Sequence, residues 1–152
     1  MGERYLRSIR LLAECLQGFE RHTGESVRAC GLTHAQFDIL ATLGNTAGMS
    51  YKELGERTLI TKGTLTGVIE RLEQKHLVER ERSSGDKRSF FVRLTPQGQA
   101  LFGEVFPQVV EHGKKLFANY GAADFDQLDE ALLTLRQRMA DAATNHETKE
   151  PS

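Results

Sequence analysis

The sequence predicts a mainly α-helical fold with a small β-hairpin, an α+β arrangement in which long helices flank a compact centre. Apolar residues recur at helical spacing near both ends of the 152-residue chain. Between them, a short helix and a longer helix are separated by a tight turn. Directly afterwards the apolar pattern becomes alternating, and a polar loop containing glycine separates two strand-like segments.

The first two helices are predicted from one apolar stripe and one capping motif. Gly31 is placed to end the first helix. Thr33 and Gln36 have the T-x-x-Q spacing of a capping box, which opens a second helix that ends near Gly44. The stripe on the first helix, with spacings of four and three residues, is formed by Tyr5, Ile9, Leu12, Leu16 and Phe19.

A helix-turn-helix is predicted in the middle of the chain. Ser50 caps a short helix, with Glu53 three residues further on, and Thr61 is placed to cap the next helix. Short helix, tight turn and longer helix together form the helix-turn-helix arrangement. The longer helix buries one face, made of Leu65, Val68, Ile69 and Leu72.

A β-hairpin follows this longer helix. Val78–Arg82 and Phe90–Leu94 alternate like strands, and Ser83–Arg88 forms a polar, basic loop between them. A hairpin with a basic tip after a helix-turn-helix is a wing. The sequence therefore predicts a winged helix-turn-helix.

The remaining chain is predicted to form two further long helices. Thr95 and Pro96 provide the cap and the first helical residue of one, which we expect to end at Gly121. The last helix carries an apolar stripe formed by Phe125, Leu128, Leu132, Leu135, Met139 and Ala142.

These elements suggest four regions. We expect an N-terminal dimerisation helix (1–32), a winged helix-turn-helix (33–98), C-terminal dimerisation helices (99–146) and a flexible tail (147–152). The terminal stripes are longer than one small winged domain can cover, which favours a homodimer over a monomer with a larger core.

Composition and motifs exclude several classes of protein. No apolar run approaches the roughly 20 residues of a membrane span, and the charged N-terminus is unlike a signal peptide, so we expect a cytoplasmic protein. The chain lacks a phosphate-binding glycine loop, a nucleophile elbow and paired helical histidines. We therefore expect neither enzymatic activity nor a cofactor.

The charge is unevenly distributed. The net charge is −1, but Ile60–Arg93 contains eight basic and five acidic residues. A local positive surplus is what a DNA-binding surface requires, although it is modest here.

The start of the longer helix offers the most specific chemistry. Small and polar residues there allow close approach to base edges and phosphates. The alternative is that Gly63 and Gly67 permit tight helix packing, although each glycine weakens a helix by roughly 1 kcal/mol.

In the wing, Asp86 and Arg88 leave the same face of an extended strand. The carboxylate could orient the guanidinium for a narrow minor groove, or the two could form an ordinary surface salt bridge.

The segment from Thr61 to Gly98 resembles the MarR family of bacterial regulators (multiple antibiotic resistance repressors). The resemblance lies in T-x-x-[IV]-x-R-L-E, seen in Thr66–Glu73, the L-V-E-R that follows, D-x-R in the wing and V-x-L-T-x-x-G, seen in Val92–Gly98. It implies an obligate homodimeric repressor that binds a palindromic, inverted-repeat site in double-stranded DNA.

The resemblance also implies roles for individual residues. Thr61, Lys62, Thr64 and Thr66 would face the major groove. Arg88, oriented by Asp86, would enter the minor groove, while Arg82 and Lys87 would contact phosphate. The complete predicted DNA-binding set is Ser50, Thr61, Lys62, Gly63, Thr64, Thr66, Arg71, Arg82, Asp86, Lys87 and Arg88.

A small effector, frequently an aromatic or phenolic acid, is a further implication of the resemblance. The pocket would lie between the dimerisation helices and the winged domain, where Arg21, His22, His34 and His112 are candidates. Ordinary surface or capping roles are the alternative for each.

Other functions stay open as alternatives. Cys15 on the first helix could make the protein a thiol-based redox sensor, or the winged helix could bind protein instead of DNA. No metal site is predicted, because the sequence has no H-x-x-x-H or C-x-x-C pair among His22, Glu25, Cys30, His34 and His112.

Overall fold

A computed structural model of the chain describes residues 2–82 and 90–147. The chain divides into two compact units, with the boundary between Leu116 and Phe117. In the described ranges, no helix is long and apolar enough to cross a membrane. The elements are α1 (Arg4–Ala29), α2 (His34–Leu43), β1 (Met49–Ser50), α3 (Tyr51–Thr58), α4 (Lys62–Gln74), β2 (Val78–Arg82), β3 (Phe90–Leu94), α5 (Pro96–Lys114), a 3₁₀ turn (Lys115–Phe117) and α6 (Ala122–Glu147).

Three of the predicted helix caps are confirmed. The Thr33 hydroxyl accepts a hydrogen bond from the Gln36 amide, and the Gln36 side chain bonds back to the Thr33 amide. Ser50 accepts from the Glu53 amide at 3.2 Å, and Thr95 accepts from the Gly98 amide at 3.0 Å. These bonds fix where α2, α3 and α5 begin.

The expected cap of α4 is different. Thr61 occupies the N-cap position, but its side chain makes no capping hydrogen bond to the backbone. The Thr61 hydroxyl instead lies 3.2 Å from the Thr64 hydroxyl and donates to it. The prediction of a side-chain cap was therefore wrong, because the Thr64 amide donates to the Thr61 carbonyl oxygen at 3.0 Å instead of to the hydroxyl.

The sheet is antiparallel and has three strands, in the order β1-β3-β2. The predicted hairpin is confirmed, with Val78 opposite Leu94 and Arg82 opposite Phe90. The third strand, β1, was not predicted, because two residues are too short to show alternation and the strand exists only by pairing with β3.

The core of the first unit lies under α4 and between the helices around it. Leu54, Leu65, Ile69, Leu72 and Val92 are fully buried there. Residues from α1, α2 and α5 continue the same cluster, including Val27, Ile39, Leu40, Leu43, Val105 and Val109. Burial of this set holds the helix-turn-helix against the sheet.

The helix after the hairpin ends earlier than the sequence predicts. Helix α5 ends at Lys114 instead of Gly121, and a 3₁₀ turn follows. The rings of Phe117, Tyr120 and Phe125 then pack together, with centroids 4.8 to 5.8 Å apart. Tyr120 therefore packs with Phe125 at the start of α6 and does not extend helix α5.

Candidate nucleic-acid interface and ligand cavity

The outer face of α4 is open. Leu65, Ile69 and Leu72 are buried beneath the helix, and helical geometry places Gly63 and Gly67 on the opposite side. A methyl group built on either glycine would have no atom within 4 Å among the described residues. Tight packing within this unit is therefore not the reason for these glycines.

Polar side chains surround this open face. Thr61, Lys62, Thr64, Thr66 and Arg71 are all exposed, as the sequence predicts for groups that reach DNA. Lys62 and Arg71 form no ion pair with any residue that the structure describes. Their charges are thus available to a phosphate.

The turn before α4 has an unusual backbone. Leu59 ends α3 in the left-handed conformation, with φ of 61°, and its amide donates to the Gly55 carbonyl. Its side chain is 86% exposed. A non-glycine residue in this conformation makes the turn tight, which brings α4 directly after α3.

Ser50 has a structural role in addition to its predicted one. It is partly buried, belongs to β1 and caps α3 through its hydroxyl oxygen. The hydroxyl hydrogen is still available to another acceptor.

Of the predicted wing residues, only Arg82 is described. It is exposed at the end of β2, with its guanidinium carbon 5.5 Å from the centre of the Phe90 ring. Asp86, Lys87 and Arg88 lie outside the described residues.

Three other basic residues are bonded to groups within the fold. Arg80 makes two hydrogen bonds to Glu73, at 2.9 and 3.2 Å, and a third to the Tyr51 hydroxyl at 3.3 Å. Hydrogen bonding to Glu73, and then to Tyr51, raises the pKa of Arg80 above its ordinary value. Arg93 bonds Glu79 and Glu81, and Lys75 donates to the Gly31 carbonyl at 2.8 Å.

These contacts change the interpretation of the charge count. The carboxylates around Arg80 and Arg93 offset their charges, so the positive surplus between Ile60 and Arg93 cannot be assigned wholly to a DNA surface. The predicted hairpin already indicated one of these ion pairs, because its register sets Glu79 directly opposite Arg93.

A cavity of about 480 Å³ lies between α1, α2, α5 and the turn after α3. The family resemblance implies an effector pocket formed by these three helices. His34 lines it, as do the neighbouring acidic residues Glu20 and Asp38. Burial raises the pKa of the Asp38 carboxyl; the nearby His34 lowers it and Glu20 raises it further.

The other predicted pocket residues lie elsewhere. The His22 and His112 rings are 4.5 Å apart, and Nε2 of His22 lies 3.1 Å from the His112 carbonyl oxygen. This pair joins α1 to α5. Arg21 is exposed and is not among the residues lining the cavity.

Both cysteines have free thiols. Cys15 is exposed and Cys30 is partly buried. A redox role for Cys15 stays a prediction. Across the described residues, no three His, Cys, Asp or Glu side chains are grouped to hold a metal ion.

Comparison with known proteins identifies the family. The model of the MarR family matches residues 32–90. The homoprotocatechuate degradative operon repressor of Escherichia coli is 31% identical over 106 residues, covering 70% of this chain and 72% of the relative. This chain belongs to the MarR family.

Solved structures of MarR-family proteins agree. A MarR mutant from Escherichia coli in complex with operator DNA is 27% identical, with a TM-score of 0.77, over 89% of this chain and 97% of the other. NadR in complex with 4-hydroxyphenylacetate is 25% identical, with a TM-score of 0.68, over 82% and 88% of the two chains. The predicted winged helix-turn-helix fold is thereby confirmed, and the protein is a transcriptional regulator.

Proposed function

We propose that this MarR-family regulator is a homodimeric repressor. It binds an inverted-repeat operator in double-stranded DNA and releases it when a small ligand enters the cavity. The observation that carries the DNA-binding part is the open outer face of α4, where Gly63 and Gly67 have free space above them. Two glycines on a helix cost stability, and close approach of a base pair offers a reason for that cost.

The DNA contacts follow from the position of α4. Thr61, Lys62, Thr64 and Thr66 lie in its first turns, where exposed amides, hydroxyls and one ammonium favour phosphate and base edges. A MarR protein that shares this fold has been solved in complex with operator DNA, which supports DNA binding by this chain. Arg82 at the end of β2 is placed for a phosphate, and Arg88, oriented by Asp86, is proposed for the minor groove on the family resemblance.

Dimerisation is supported by apolar surface on the terminal helices. Helix α1 exposes large apolar residues along one stripe, and α6 exposes another. Exposed apolar surface of this extent marks an interaction site, and a twofold axis would bury it in both copies. The exposed members are Tyr5, Ile9, Leu12, Leu16 and Phe19 on α1, and Phe125, Leu128, Leu132 and Met139 on α6.

Ligand response is supported by the cavity and by two relatives. The cavity has the size of a small-molecule site and has largely apolar walls. The NadR structure contains 4-hydroxyphenylacetate, and the Escherichia coli relative represses a homoprotocatechuate degradative operon. We therefore propose a small aromatic or phenolic effector.

Fluorescence anisotropy with DNA from the region upstream of the chain's own gene tests the function. We expect affinity to fall steeply with salt, because phosphate contacts release counterions. Lys62→Ala should lower affinity and reduce the slope of log K against log salt by about two, one for each protomer of the proposed dimer. Lys114→Ala is the matched control, since Lys114 lies on α5 and pairs with Glu111.

Three results would overturn this proposal. Absence of binding would favour a protein-interaction module, and binding that does not depend on salt would contradict phosphate contacts. An equal loss of affinity in Lys62→Ala and Lys114→Ala would remove α4 as the contact surface.

A further inference from the structure

The hydroxyl groups in the cavity wall have no hydrogen to offer a ligand. The Thr23 hydroxyl donates to the Phe19 carbonyl at 3.1 Å. The Thr58 hydroxyl donates to the Leu54 carbonyl at 2.6 Å. The Thr58 oxygen also accepts from the Ile60 amide at 3.3 Å, which leaves it one lone pair. Towards the cavity these two side chains can therefore act only as hydrogen-bond acceptors.

The histidine in the wall is an acceptor as well when it is neutral. Nε2 of His34 lies 2.7 Å from the Glu20 carbonyl oxygen. A carbonyl oxygen only accepts, so Nε2 must carry the hydrogen, which leaves Nδ1 of the neutral ring with a lone pair.

The charged groups in the wall are acidic. Glu20 and Asp38 both line the cavity, and within the described part of the chain no lysine or arginine does. The two carboxyl groups are close enough that Glu20 raises the pKa of Asp38. A ligand carboxylate would bring a third negative charge into partly buried surroundings. The positive charge that His34 can carry already acts on Asp38, whose pKa it lowers, and no lysine or arginine of the described lining is there to pair with the ligand.

The rest of the wall suits an aromatic ring. Leu16, Phe19, Phe37 and Val109 provide apolar and aromatic surface. The cavity thus combines largely apolar walls with polar groups that accept hydrogen bonds or carry negative charge.

We propose that the cavity selects aromatic ligands whose polar head donates hydrogen bonds and carries no negative charge, and that it discriminates against aromatic acids. An aromatic ligand with an ammonium group can donate hydrogen bonds to the acceptors and form an ion pair with the carboxylates. A neutral phenol can only donate hydrogen bonds. The regulatory meaning of this selectivity rests on the proposed function, but the binding preference itself does not.

Isothermal titration calorimetry with three matched probes tests the proposal. Tyramine, 4-ethylphenol and 4-hydroxyphenylacetate share a para-hydroxylated ring and differ mainly in the charge of the second substituent. We expect tyramine to bind tightest and the acid weakest, with steps of about tenfold each, as expected for one charge interaction in partly solvated surroundings.

The Asp38→Asn variant identifies the group responsible. It removes one negative charge with little change in size, so the advantage of tyramine over the acid should shrink by about tenfold. Asp126→Asn, on α6 of the second unit, is the control and should leave all three affinities unchanged.

Three outcomes would overturn the proposal. They are tightest binding of 4-hydroxyphenylacetate, no measurable binding of any probe, and an order of affinities that Asp38→Asn does not alter.

Anisotropy with operator DNA, measured on the same samples without ligand, separates the ligand selectivity from the proposed function. Loss of DNA binding with the expected probe order would contradict only the proposed function, whereas intact DNA binding with the acid preferred would contradict only the selectivity.

Discussion

Arg80 and Glu73 form two hydrogen bonds, of 2.9 and 3.2 Å, that tie strand β2 to the end of helix α4. The guanidinium of Arg80 also lies 5.0 Å from the centre of the Phe90 ring on β3. These contacts connect the base of the wing to the helix proposed to enter the major groove. The relative position of the two elements proposed to contact DNA therefore depends on Arg80, which the charge count alone would have assigned to DNA.

Replacing Arg80 by glutamine should destabilise the fold by about 1–3 kcal/mol, because Glu73 loses a charge-assisted bidentate partner in a partly buried place. Chemical denaturation measures the change. Arg93→Gln is the matched control, because Arg93 also bonds two glutamates but lies on the surface. Its midpoint should hardly move, and equal losses in both variants would contradict the assignment.

Gly98→Ala should destabilise the protein by about 1–3 kcal/mol, since a side chain at this position would overlap the Leu77 carbonyl. Gly103→Ala is the control in the same helix, where an added methyl group meets nothing within 4 Å. It should stabilise the fold by roughly 0.5–1 kcal/mol through helix propensity. Thermal unfolding of the two variants should therefore shift in opposite directions, and parallel shifts would refute the packing argument.

Gly67→Ala should separate stability from DNA binding. The added methyl group points into open space, so the helix should gain roughly 1 kcal/mol. The same group would occupy the surface proposed to approach DNA, so operator affinity should fall. Gly103→Ala, with a similar gain in stability, should bind DNA normally. Unchanged DNA affinity in Gly67→Ala would argue against close approach at this point of α4.

Leu128→Glu should shift the protein from dimer to monomer in analytical ultracentrifugation, because it places a charge on the apolar stripe of α6. Thr134→Glu adds the same charge to the opposite face of that helix and should leave the dimer intact. Dissociation by both variants would show a general charge effect, and dissociation by neither would remove α6 from the interface.

The stability of the protein should depend on pH through Asp38. Its pKa is raised in the folded state above the ordinary value of 3.8, so the folded state holds this proton more tightly than the unfolded chain. This contribution therefore falls as pH rises from 3.8 through the raised pKa. Asp38→Asn should be more stable than the natural protein at neutral pH. The difference should shrink as pH falls through the raised pKa and should be lost below pH 3.8. A difference that is constant with pH would contradict this.

The sequence by itself determined the local elements of the fold. Caps at Thr33, Ser50 and Thr95 act over a few residues, so their spacing is sufficient to place the starts of α2, α3 and α5. The hairpin strands were predicted with the same bounds, because alternation over five residues is a local pattern.

The tertiary structure decided which of these residues are available to a partner. Strand β1 exists only through its pairing with β3, and the roles of Arg80 and Lys75 depend on acceptors that folding brings close to them. The open face above Gly63 and Gly67 and the acceptor-rich wall around His34 also arise from packing between separate elements. Local pattern specifies the helix starts and the two hairpin strands, but strand β1, the partner of a charge and the space beside a glycine are set by segments distant in sequence.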